Sequence, residues 1–237
     1  MDSKDRIIVA LDVFTLGEAE GLVSRLKDKV RAFKVGLQLL TACGSTNVLA
    51  LMNNHNVDVF YDAKFNDIPN TVGQASKAIS GQGVWMYNIH ASAGAAAIRL
   101  AAANKGASKL IAVTVLTSLN DETSNFVFGN SAGKKSLQLA ELGAKNGIDG
   151  LVCSPHEIQA LRDNDSTRNL ILIVPGVRPT WADKNDQSRF MEPGKAVALG
   201  ADYLVVGRPI TAPPSEIGSA EKAVERIRSE IDIASSK

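Results

Sequence analysis

One segment of the chain, residues 57–71, reads VDVFYDAKFNDIPNT. Its first five residues are rich in β-branched and aromatic side chains, which is typical of a β-strand. Asp62, Lys64 and Asp67 follow, where this strand ends and a loop begins. Charged groups are costly to gather at one place unless they form a network or take part in chemistry. The segment therefore predicts a strand that delivers charged side chains to a functional edge of a sheet.

Short apolar runs of the same kind recur along the chain and alternate with stretches of helical periodicity. The eight runs are residues 7–11, 32–35, 57–61, 84–89, 110–116, 150–153, 170–174 and 203–206. Nearly continuous apolar runs are typical of parallel strands that are buried on both faces. Eight strand–helix units match a (β/α)8 TIM barrel, and a doubly wound open sheet is the alternative. Because no GxGxxG motif follows the first run, we expect an α/β protein with one (β/α)8 barrel domain over residues 1–237.

Local signals agree with this alternation. Thr15 with Glu18, and Ser154 with Glu157, have the spacing of capping boxes and predict helix starts. Two polar stretches, residues 118–133 and 178–192, are expected to be long loops after the fifth and seventh strands. Long loops in compact domains are usually functional or disordered. The second lies where barrels commonly bind phosphate.

The composition argues against several classes of partner. The chain has 237 residues, 45% hydrophobic content and a formal net charge of +1. We therefore expect no attraction to nucleic acid or to a membrane surface. No apolar run reaches the ~20 residues of a membrane span, and residues 7–11 are too short for a signal-peptide core. A cytoplasmic location is expected, and Cys153 is expected to be a small core residue.

Polar residues recur at the carboxyl ends of the predicted strands, where barrels carry their chemistry. They are Asp12, Lys34, Asp62, Lys64, His90, Thr117, Ser118, Arg178 and Arg208. The segment Pro175-Gly176-Val177 leads into Arg178, and Gly207 precedes Arg208. One mouth of the barrel is thus expected to hold lysines, arginines and aspartates together. Plainer roles stay open: a helix cap for Asp12, a structural ion pair for Asp62 with Lys64, and a surface position for Arg178. His90 is as suited to the core as to a ligand contact.

Two features of this mouth indicate its chemistry. The sequence Gly207-Arg208 and the loop at residues 178–192 indicate a phosphate site, because a guanidinium group and an unhindered amide suit phosphate. No His, Asp or Glu cluster has metal-ligand spacing, and lysines occupy the places where carboxylates would be needed. We therefore expect chemistry on a phosphorylated small molecule without a metal ion or a cofactor.

The charged residues narrow the reaction. A lysine flanked by carboxylates stays protonated, so it is a proton donor and a poor Schiff-base nucleophile. The neighbouring aspartate would repel an anionic substrate group by roughly 4 kcal/mol at ~4 Å and an effective dielectric constant of ~20. Loss of that group as a neutral molecule relieves the repulsion. Decarboxylation fits this description better than isomerisation or aldol chemistry.

Longer pieces of the sequence match one enzyme family. The pieces are LD (11–12), KVG (34–36), DAKFNDIPNT (62–71), LTS (116–118), PGVRP (175–179), DQ (186–187) and VGRPI (206–210). In this order, and over nearly the whole chain, they resemble the orotidine 5′-phosphate decarboxylases. The resemblance implies conversion of orotidine 5′-monophosphate to UMP, the last step of UMP synthesis, without metal or cofactor. The DxKxxD core alone is also shared with sugar-phosphate decarboxylases.

The resemblance implies roles for the charged residues. Lys64 would protonate C6 of the pyrimidine as carbon dioxide leaves, and Asp62 would lie against the departing carboxylate. Lys34 would bridge the ribose and Asp62, and Asp12 would bind ribose hydroxyls. Members of the family are homodimers whose sites straddle the interface, so Asp67 would complete the partner's charge network.

The resemblance also implies the remaining substrate contacts. Thr117 and Ser118 would contact the pyrimidine ring, and Ile68 and Pro175 would also touch substrate. The phosphate side would be held by Arg178, Gln187, the Gly207 amide and Arg208, with residues 178–192 closing as a lid. Thr71, like Asp67, would serve the site of the partner subunit.

Two alternatives stay open, one from the same suprafamily and one from another functional class. One is a magnesium-dependent relative, a 3-keto-gulonate-6-phosphate decarboxylase or a hexulose-phosphate synthase, against which Lys34 and the pair Asn70-Thr71 argue. The other is a catalytically silent phosphate-binding barrel with a regulatory or structural role. The complete charged set argues against it, since a silent module has no need of that set.

Overall fold

Eight parallel strands close into a barrel, in which each strand pairs with the next and β8 returns to β1. The computed structural model describes residues 1–182 and 190–235. The strands are β1 (Ile7–Ala10), β2 (Ala32–Gly36), β3 (Val59–Phe65), β4 (Met86–His90), β5 (Lys109–Val113), β6 (Gly150–Val152), β7 (Ile171–Val174) and β8 (Tyr203–Val206). The predicted (β/α)8 barrel is confirmed, and the pairing of β1 with β8 rules out the open sheet.

Each strand is followed by at least one helix. The helices are α1 (Leu16–Leu26), α2 (Leu37–Cys43), α3 (Ser45–Asn54), α4 (Pro69–Ser80), α5 (Ala95–Asn104), α6 (Asp121–Phe128), α7 (Ala132–Lys145), α8 (Ile158–Asp163), α9 (Pro193–Ala198), α10 (Arg208–Thr211) and α11 (Ala220–Ser235). Short 3₁₀ turns cover Lys4–Arg6, Ala91–Ala93 and Pro155–Glu157. In the part of the chain that the structure describes, no helix has the length and apolar character needed to cross a membrane.

Both predicted capping boxes are present. The Glu18 amide donates to Thr15 Oγ1 at 3.2 Å, and the Thr15 amide donates to Glu18 Oε2 at 3.0 Å. The box of Ser154 and Glu157 opens the 3₁₀ turn that leads into α8. Each box satisfies amide groups that a helix start otherwise leaves without partners, so these local signals were sufficient to mark both starts.

Apolar residues fill two regions, the barrel interior and the layer between strands and helices. The interior cluster contains Ile8, Ala10, Ala32, Phe60, Met86, Ile111, Ile173, Tyr203 and Val205. Side chains alternate across a strand, so residues two positions further along point to the same face. Lys34, Asp62 and Asn88 therefore continue the inward columns begun by Ala32, Phe60 and Met86. The interior is apolar in its lower part and polar where the strands end. Cys153 is buried in the outer layer, as predicted.

The prediction of a loop over residues 118–133 is wrong, because the segment contains α6 and the start of α7. Asn120 caps α6 by accepting a hydrogen bond from the Thr123 amide at 2.8 Å. Acidic residues in its first turn favour the helix start, and Gly129 ends it in a left-handed conformation with φ of 72°. The helix buries few apolar side chains, and Phe126 is 91% exposed, so its sequence reads as a polar loop.

The loop after β7 is described at residues 178–182 and 190–192. Its two ends are joined by backbone hydrogen bonds. The Arg178 amide donates to the Met191 carbonyl at 2.9 Å, and the Met191 amide donates to the Gly176 carbonyl at 3.4 Å. Trp181 Nε1 donates to Glu230 Oε1 of α11 at 3.0 Å. Gln187, for which a phosphate contact was predicted, lies outside the described residues, as does Asp186.

Ion pairs and aromatic rings cover the amino-terminal end of the barrel. Arg31, just before β2, pairs with Asp58, just before β3, and its guanidinium lies 4.4 Å from the centre of the Trp85 ring. Trp85 meets Tyr203 edge to face at 5.1 Å between ring centres. These residues close the end of the barrel opposite the polar mouth.

Two further aspartates anchor this end from the turns before β6 and β8. Asp149 accepts from Lys105 Nζ at 2.6 Å and from the Leu110 amide at 2.7 Å. Asp202 accepts from Arg162 Nη2 and from the Leu172 amide, both at 2.8 Å. Each carboxylate thus ties a strand start to a neighbouring segment.

Candidate active site

Two adjoining cavities open at the carboxyl ends of the strands and share Lys34, Pro175 and Val205. The Lys64 cavity, of about 190 Å³, is lined by Lys34, Phe60, Asp62, Lys64, Val113, Val115, Leu116, Thr117, Val152, Pro175 and Val205. The Arg208 cavity, of about 400 Å³, is lined by Ala10, Asp12, Lys34, Gln38, Pro175, Gly176, Arg178, Val205, Gly207 and Arg208. One is mostly apolar with a charged wall, and the other carries two arginines.

A larger cavity of about 500 Å³ lies against α11, and its lining includes Trp181, Lys222 and Glu230. It contains no residue from a strand end. Because barrel chemistry is carried by the carboxyl ends of the strands, the two smaller cavities are the candidate site.

Four charged side chains alternate in sign across the junction of the Lys64 and Arg208 cavities. Lys34 Nζ lies 3.0 Å from Asp12 Oδ1 and 3.3 Å from Asp62 Oδ2. Lys64 Nζ lies 2.7 Å from Asp62 Oδ1. The side chains of Lys34 and Asp62 are each only 11% exposed. A buried carboxylate is tolerated when it has opposite charges and hydrogen bonds around it, and Asp62 has an ammonium group on each of its oxygens.

The environment keeps Lys34 charged. Burial by itself lowers its pKa, but Asp62 and Asp12 outweigh that effect and leave the pKa raised above its ordinary value. The ammonium form is therefore the form present at neutral pH. At the end of β4, burial and the nearby Lys64 ammonium lower the pKa of His90, with Asp62 partly opposing them. His90 is accordingly a neutral imidazole at neutral pH.

Lys64 has an unusual backbone conformation for a residue in a strand. Its φ is +54°, in the left-handed region, where a residue other than glycine costs roughly 1–2 kcal/mol. Tyr61 pairs with Tyr87 and Phe65 pairs with Ile89, so four steps along β3 match two along β4. Residues 62–64 thus form a bulge opposite Asn88. The predicted meeting of Asp62 and Lys64 occurs, but through a bulge rather than through regular strand alternation.

Asn88 is a site residue that the sequence reading missed. It is 1% exposed, donates through Nδ2 to Asp62 Oδ1 at 2.6 Å, and accepts at Oδ1 from the Lys64 amide at 2.8 Å. The available signal was an amide side chain inside an apolar run, Met86-Tyr87-Asn88-Ile89. A buried polar group of this kind needs partners, and here both partners belong to the charged segment of β3.

Gly36 is a second residue whose contribution only the structure reveals. A Cβ atom at this position would lie 2.8 Å from Lys34 Nζ. It would also lie 3.7 Å from Asp12 Oδ1 and 3.8 Å from Asp62 Oδ2. The missing side chain therefore leaves the space that the Lys34 ammonium group occupies between its two carboxylates.

These features match those of a known family. The sequence matches the family model described as "Orotidine 5'-phosphate decarboxylase / HUMPS family" over residues 5–223. The chain belongs to this family. It is 40% identical to the orotidine 5′-phosphate decarboxylase of Syntrophotalea carbinolica over 98% of each chain. It is 42% identical to that of Moorella thermoacetica over 96% of this chain and 94% of the other.

Solved structures agree with the family assignment. The crystal structure of orotidine 5′-phosphate decarboxylase from Lactobacillus acidophilus superposes with a TM-score of 0.79 and 28% sequence identity. The match covers 96% of this chain and 99% of that chain. The barrel described above is therefore the fold of a structurally known relative.

The structure brings together most of the residues singled out from the sequence. Asp12, Lys34, Asp62, Lys64, Thr117, Pro175, Arg178, Gly207 and Arg208 line the Lys64 cavity or the Arg208 cavity. Among the residues that the structure describes, Asp67, Ile68, Thr71 and Ser118 are exposed and belong to neither lining. The structure therefore divides the predicted set into a group inside one barrel mouth and a group on its rim.

The Asp12 and Asp62 carboxylates at the mouth are paired with lysine ammonium groups. Over residues 1–182 and 190–235, no three His, Cys, Asp or Glu side chains are grouped so that they could hold a metal ion. The ammonium group of Lys34 lies between the carboxylates of Asp12 and Asp62. The carboxylate oxygens that a divalent cation would need are thus occupied by the ammonium groups of Lys34 and Lys64.

Proposed function

We propose that this protein is a carboxy-lyase that decarboxylates orotidine 5′-monophosphate to UMP in de novo pyrimidine synthesis, without metal or cofactor. The single observation that carries the proposal is the Asp62 carboxylate, held between two lysine ammonium groups at the wall of a mostly apolar cavity. The family assignment and the names of the relatives support the substrate. A cytoplasmic enzyme with one domain over residues 1–237 follows from the same proposal.

The two cavities suit the two ends of the substrate. The phosphate is proposed to bind in the Arg208 cavity, on Arg178, Arg208 and the Gly207 amide, with Gln187 as a further contact. Arginine suits this role because its guanidinium donates two parallel hydrogen bonds to phosphate oxygens. Asp12 and Lys34 are proposed to bind the ribose, since they lie in the lining of the Arg208 cavity next to the Lys64 cavity.

The pyrimidine is proposed to enter the Lys64 cavity, with its C6 carboxylate against Asp62. Four valines, Val113, Val115, Val152 and Val205, contribute to the apolar walls. Thr117 supplies a hydroxyl in the lining, and Ser118, Ile68 and Pro175 are proposed as further contacts. Apolar walls exclude water and strengthen every electrostatic interaction inside the cavity.

The chemical step needs only groups of the chain and the substrate. The bond from C6 to the carboxylate carbon breaks, carbon dioxide leaves, and the electron pair stays on C6. The Lys64 ammonium stabilises the developing negative charge and transfers one proton from Nζ to C6. Asp62 repels the substrate carboxylate by roughly 4 kcal/mol at ~4 Å and an effective dielectric constant of ~20, and departure of neutral carbon dioxide removes that repulsion.

Lys34 has a different task in this proposal. Its ammonium lies between Asp12 and Asp62, so it offsets the burial of Asp62 and is available to the ribose. The raised pKa of Lys34 keeps this charge in place over the physiological range. Lys34 thus links ribose binding to the position of the carboxylate that faces the reacting group.

A homodimer is part of the proposal, with Asp67 and Thr71 contributed to the site of the partner. Both residues are exposed on the rim, in and just after the link between β3 and α4. Ile68, next to them, is 67% exposed although it is apolar. A two-fold axis between the subunits would place this rim of each subunit against the barrel mouth of the other.

Shared sites can be tested by mixing two inactive variants, Lys64→Ala and Asp67→Ala. If each site takes Lys64 from one subunit and Asp67 from the other, every mixed dimer carries one intact site, and half of the dimers in a random mixture are mixed. A random mixture then recovers about one quarter of wild-type activity. Recovery of no activity in mixed dimers would contradict the shared site.

The function is tested by the loss of orotidine 5′-monophosphate absorbance on addition of purified protein in the presence of EDTA. Rapid loss with the wild type and none with Lys64→Ala supports the proposed reaction and the role of Lys64. Activity that appears only with added magnesium, and on a hexulose or gulonate phosphate, supports the sugar-phosphate relatives instead. Tight UMP binding without turnover of any of these compounds supports a silent binding barrel.

A further inference from the structure

The side chain of Asn88 forms hydrogen bonds with both Asp62 and Lys64 of β3. Its column on β4 begins with Met86 in the barrel interior and ends with His90 at the mouth. Asn88 is therefore the polar residue directly below the mouth on this strand. It lines neither the Lys64 cavity nor the Arg208 cavity, so it does not contact a substrate bound in them.

Both ends of the Asn88 amide are used. Nδ2 donates to Asp62 Oδ1 at 2.6 Å, and Oδ1 accepts from the Lys64 amide at 2.8 Å. A carboxylate only accepts and an amide N–H only donates, so these two partners allow only one orientation of the Asn88 amide. Asp62 Oδ1 is also the oxygen that lies 2.7 Å from Lys64 Nζ. One oxygen atom is thus held by Asn88 and by Lys64 at the same time.

The second contact holds the backbone of Lys64. The bulge at residues 62–64 takes β3 out of regular register with β4, and Asn88 is the β4 residue opposite it. The Lys64 amide donates to the Asn88 side chain. Lys64 has a φ of +54°, and a conformation of this kind persists where surrounding contacts enforce it. The conformation turns the side chain of Lys64 back toward Asp62, two residues earlier.

We propose that Asn88 is a positioning residue that sets the orientation of the Asp62 carboxylate and holds Lys64 in its left-handed conformation, so that carboxylate and ammonium face the reacting carbon together. This inference rests on the proposed function and deepens it. A carboxylate without this anchor can rotate about its own bond, and a lysine whose backbone relaxes moves its ammonium group. Either change misplaces a reacting group while the arginines proposed to bind the phosphate keep their positions.

The first test uses Asn88→Ala, which removes both hydrogen bonds. The expected result is a loss of about 10²-fold in kcat, since small misplacements of reacting groups have effects of this size. The KM for orotidine 5′-monophosphate and the Kd for UMP are expected to stay within about threefold, because Arg208 and Arg178 are untouched. A kcat within threefold of wild type would overturn the inference.

A matched control is Ser108→Ala. Ser108 is also buried, and its hydroxyl donates to the Val84 carbonyl at 2.6 Å, at the opposite end of the barrel. This variant loses a buried hydrogen bond without touching the mouth, so its kcat is expected to match wild type. If Ser108→Ala and Asn88→Ala lose thermal stability and kcat in equal measure, Asn88 is only a structural residue and the inference is wrong.

The second variant, Asn88→Asp, nearly preserves size and keeps the acceptor for the Lys64 amide. It replaces the donor to Asp62 with a carboxyl group that faces Asp62, with Lys34, Lys64 and His90 as the other ionisable neighbours. Two adjacent carboxylates share a proton, and the protonated form restores a donor to Asp62. The kcat of Asn88→Asp is therefore expected to rise as pH falls from about 8 to 6, relative to wild type. Parallel profiles for the two proteins would overturn the inference.

The crystal structure of Asn88→Ala separates this inference from the proposed function, because it needs no activity. The expected structure has Lys64 out of the left-handed region and Lys64 Nζ displaced from Asp62 Oδ1. If Lys64 keeps its positive φ and its contact with Asp62, the inference is wrong even where the wild type turns over substrate. If the wild type has no activity, the proposed function fails, and the displacement of Lys64 still decides the role of Asn88.

Discussion

Each end of the barrel carries an ion pair that joins β2 to β3, in or immediately before the two strands. At the amino-terminal end, Arg31 and Asp58 precede β2 and β3, and their side chains are 31% and 43% exposed. At the carboxyl end, Lys34 and Asp62 lie on those strands and are each 11% exposed. Solvated pairs contribute about 0–1 kcal/mol to stability, whereas a buried pair is costly to form. Of these two pairs, the one that is costly to form lies at the end with the cavities.

The two ion pairs also differ in whether the barrel beside them is filled or open. Arg31 lies over the Trp85 ring and the barrel beneath it is filled with side chains. Lys34 and Asp62 face the two cavities, and Asp62 has a second ammonium partner, Lys64, in a strained backbone conformation. Ion pairs at the closed end hold segments together, and those at the open end hold charge where a ligand enters. The following predictions test this division, from the largest expected effect to the smallest.

Lys64→Ala is expected to lower kcat by at least about 10³-fold, because it removes both the proton donor and the charge facing C6. Its melting temperature is expected to stay close to that of wild type, since Lys64 is part of the mouth and not of the core. The matched control is Lys105→Ala at the closed end, which should keep kcat. A Lys64→Ala protein with near wild-type turnover would remove the distinction between the two ends.

Arg208→Ala is expected to lower kcat/KM for orotidine 5′-monophosphate by about 10²-fold, because a charged hydrogen-bond donor to phosphate is lost. The measurement is repeated with orotidine, which has no phosphate. The variant and the wild type should turn over this nucleoside equally well, since binding energy from the phosphate is absent in both. A loss with orotidine as large as the loss with the nucleotide would place Arg208 outside the phosphate site.

Gly36→Ala is expected to lower kcat/KM by about tenfold, because the added Cβ displaces the Lys34 ammonium group from between Asp12 and Asp62. The flexible lysine can move, so the fold is expected to survive. Gly21→Ala is the control, since a Cβ there meets nothing within 4 Å, and it should keep full activity. Crystal structures of both variants would reveal the position of Lys34 Nζ, and an unmoved ammonium group would refute the explanation.

Asp149→Asn is expected to lower the free energy of unfolding by about 1–2 kcal/mol, because the ion pair with Lys105 is weakened at the closed end. Turnover should stay within about twofold of wild type. Denaturant unfolding and steady-state kinetics on the same preparation measure both quantities. A large loss of kcat with no loss of stability would reverse the division between the ends.

His90 should produce the smallest effect, a pH dependence of stability. Its pKa in the folded state is lowered below the ordinary value of 6.5. Above pH 6.5 the His90 imidazole is mostly neutral in both the folded and the unfolded protein. Below pH 6.5 the unfolded chain binds a proton that the folded protein resists, so the free energy of unfolding falls. The unfolding free energy of wild type relative to His90→Gln is therefore expected to decrease from pH 7.5 to 5. A difference that is constant or increases over that range would contradict the direction of the shift.

Much of the fold could be predicted from local patterns. The apolar runs placed all eight strands, and two capping boxes marked helix starts, because both signals depend on residues close together in sequence. Helix α6 was missed because a short helix with few buried side chains has no clear apolar face. The extent of β3 was underestimated because Asp62 and Lys64 look like the end of a strand. Their place in the sheet depends on the neighbouring strand β4.

The sequence by itself determined the barrel class, the family and the charged residues at the strand ends, because strand periodicity and contiguous motifs are properties of neighbouring residues. The tertiary structure decided how those residues meet. Only the closed barrel brings Asp12 and Asp62 to opposite sides of the Lys34 ammonium, leaves the space above Gly36, and sets Asn88 against the bulge at Lys64. Lys34 is 22 positions away from Asp12 and 28 positions away from Asp62 in the sequence. The distances in these contacts are set by strand register and side-chain packing, which no local pattern encodes.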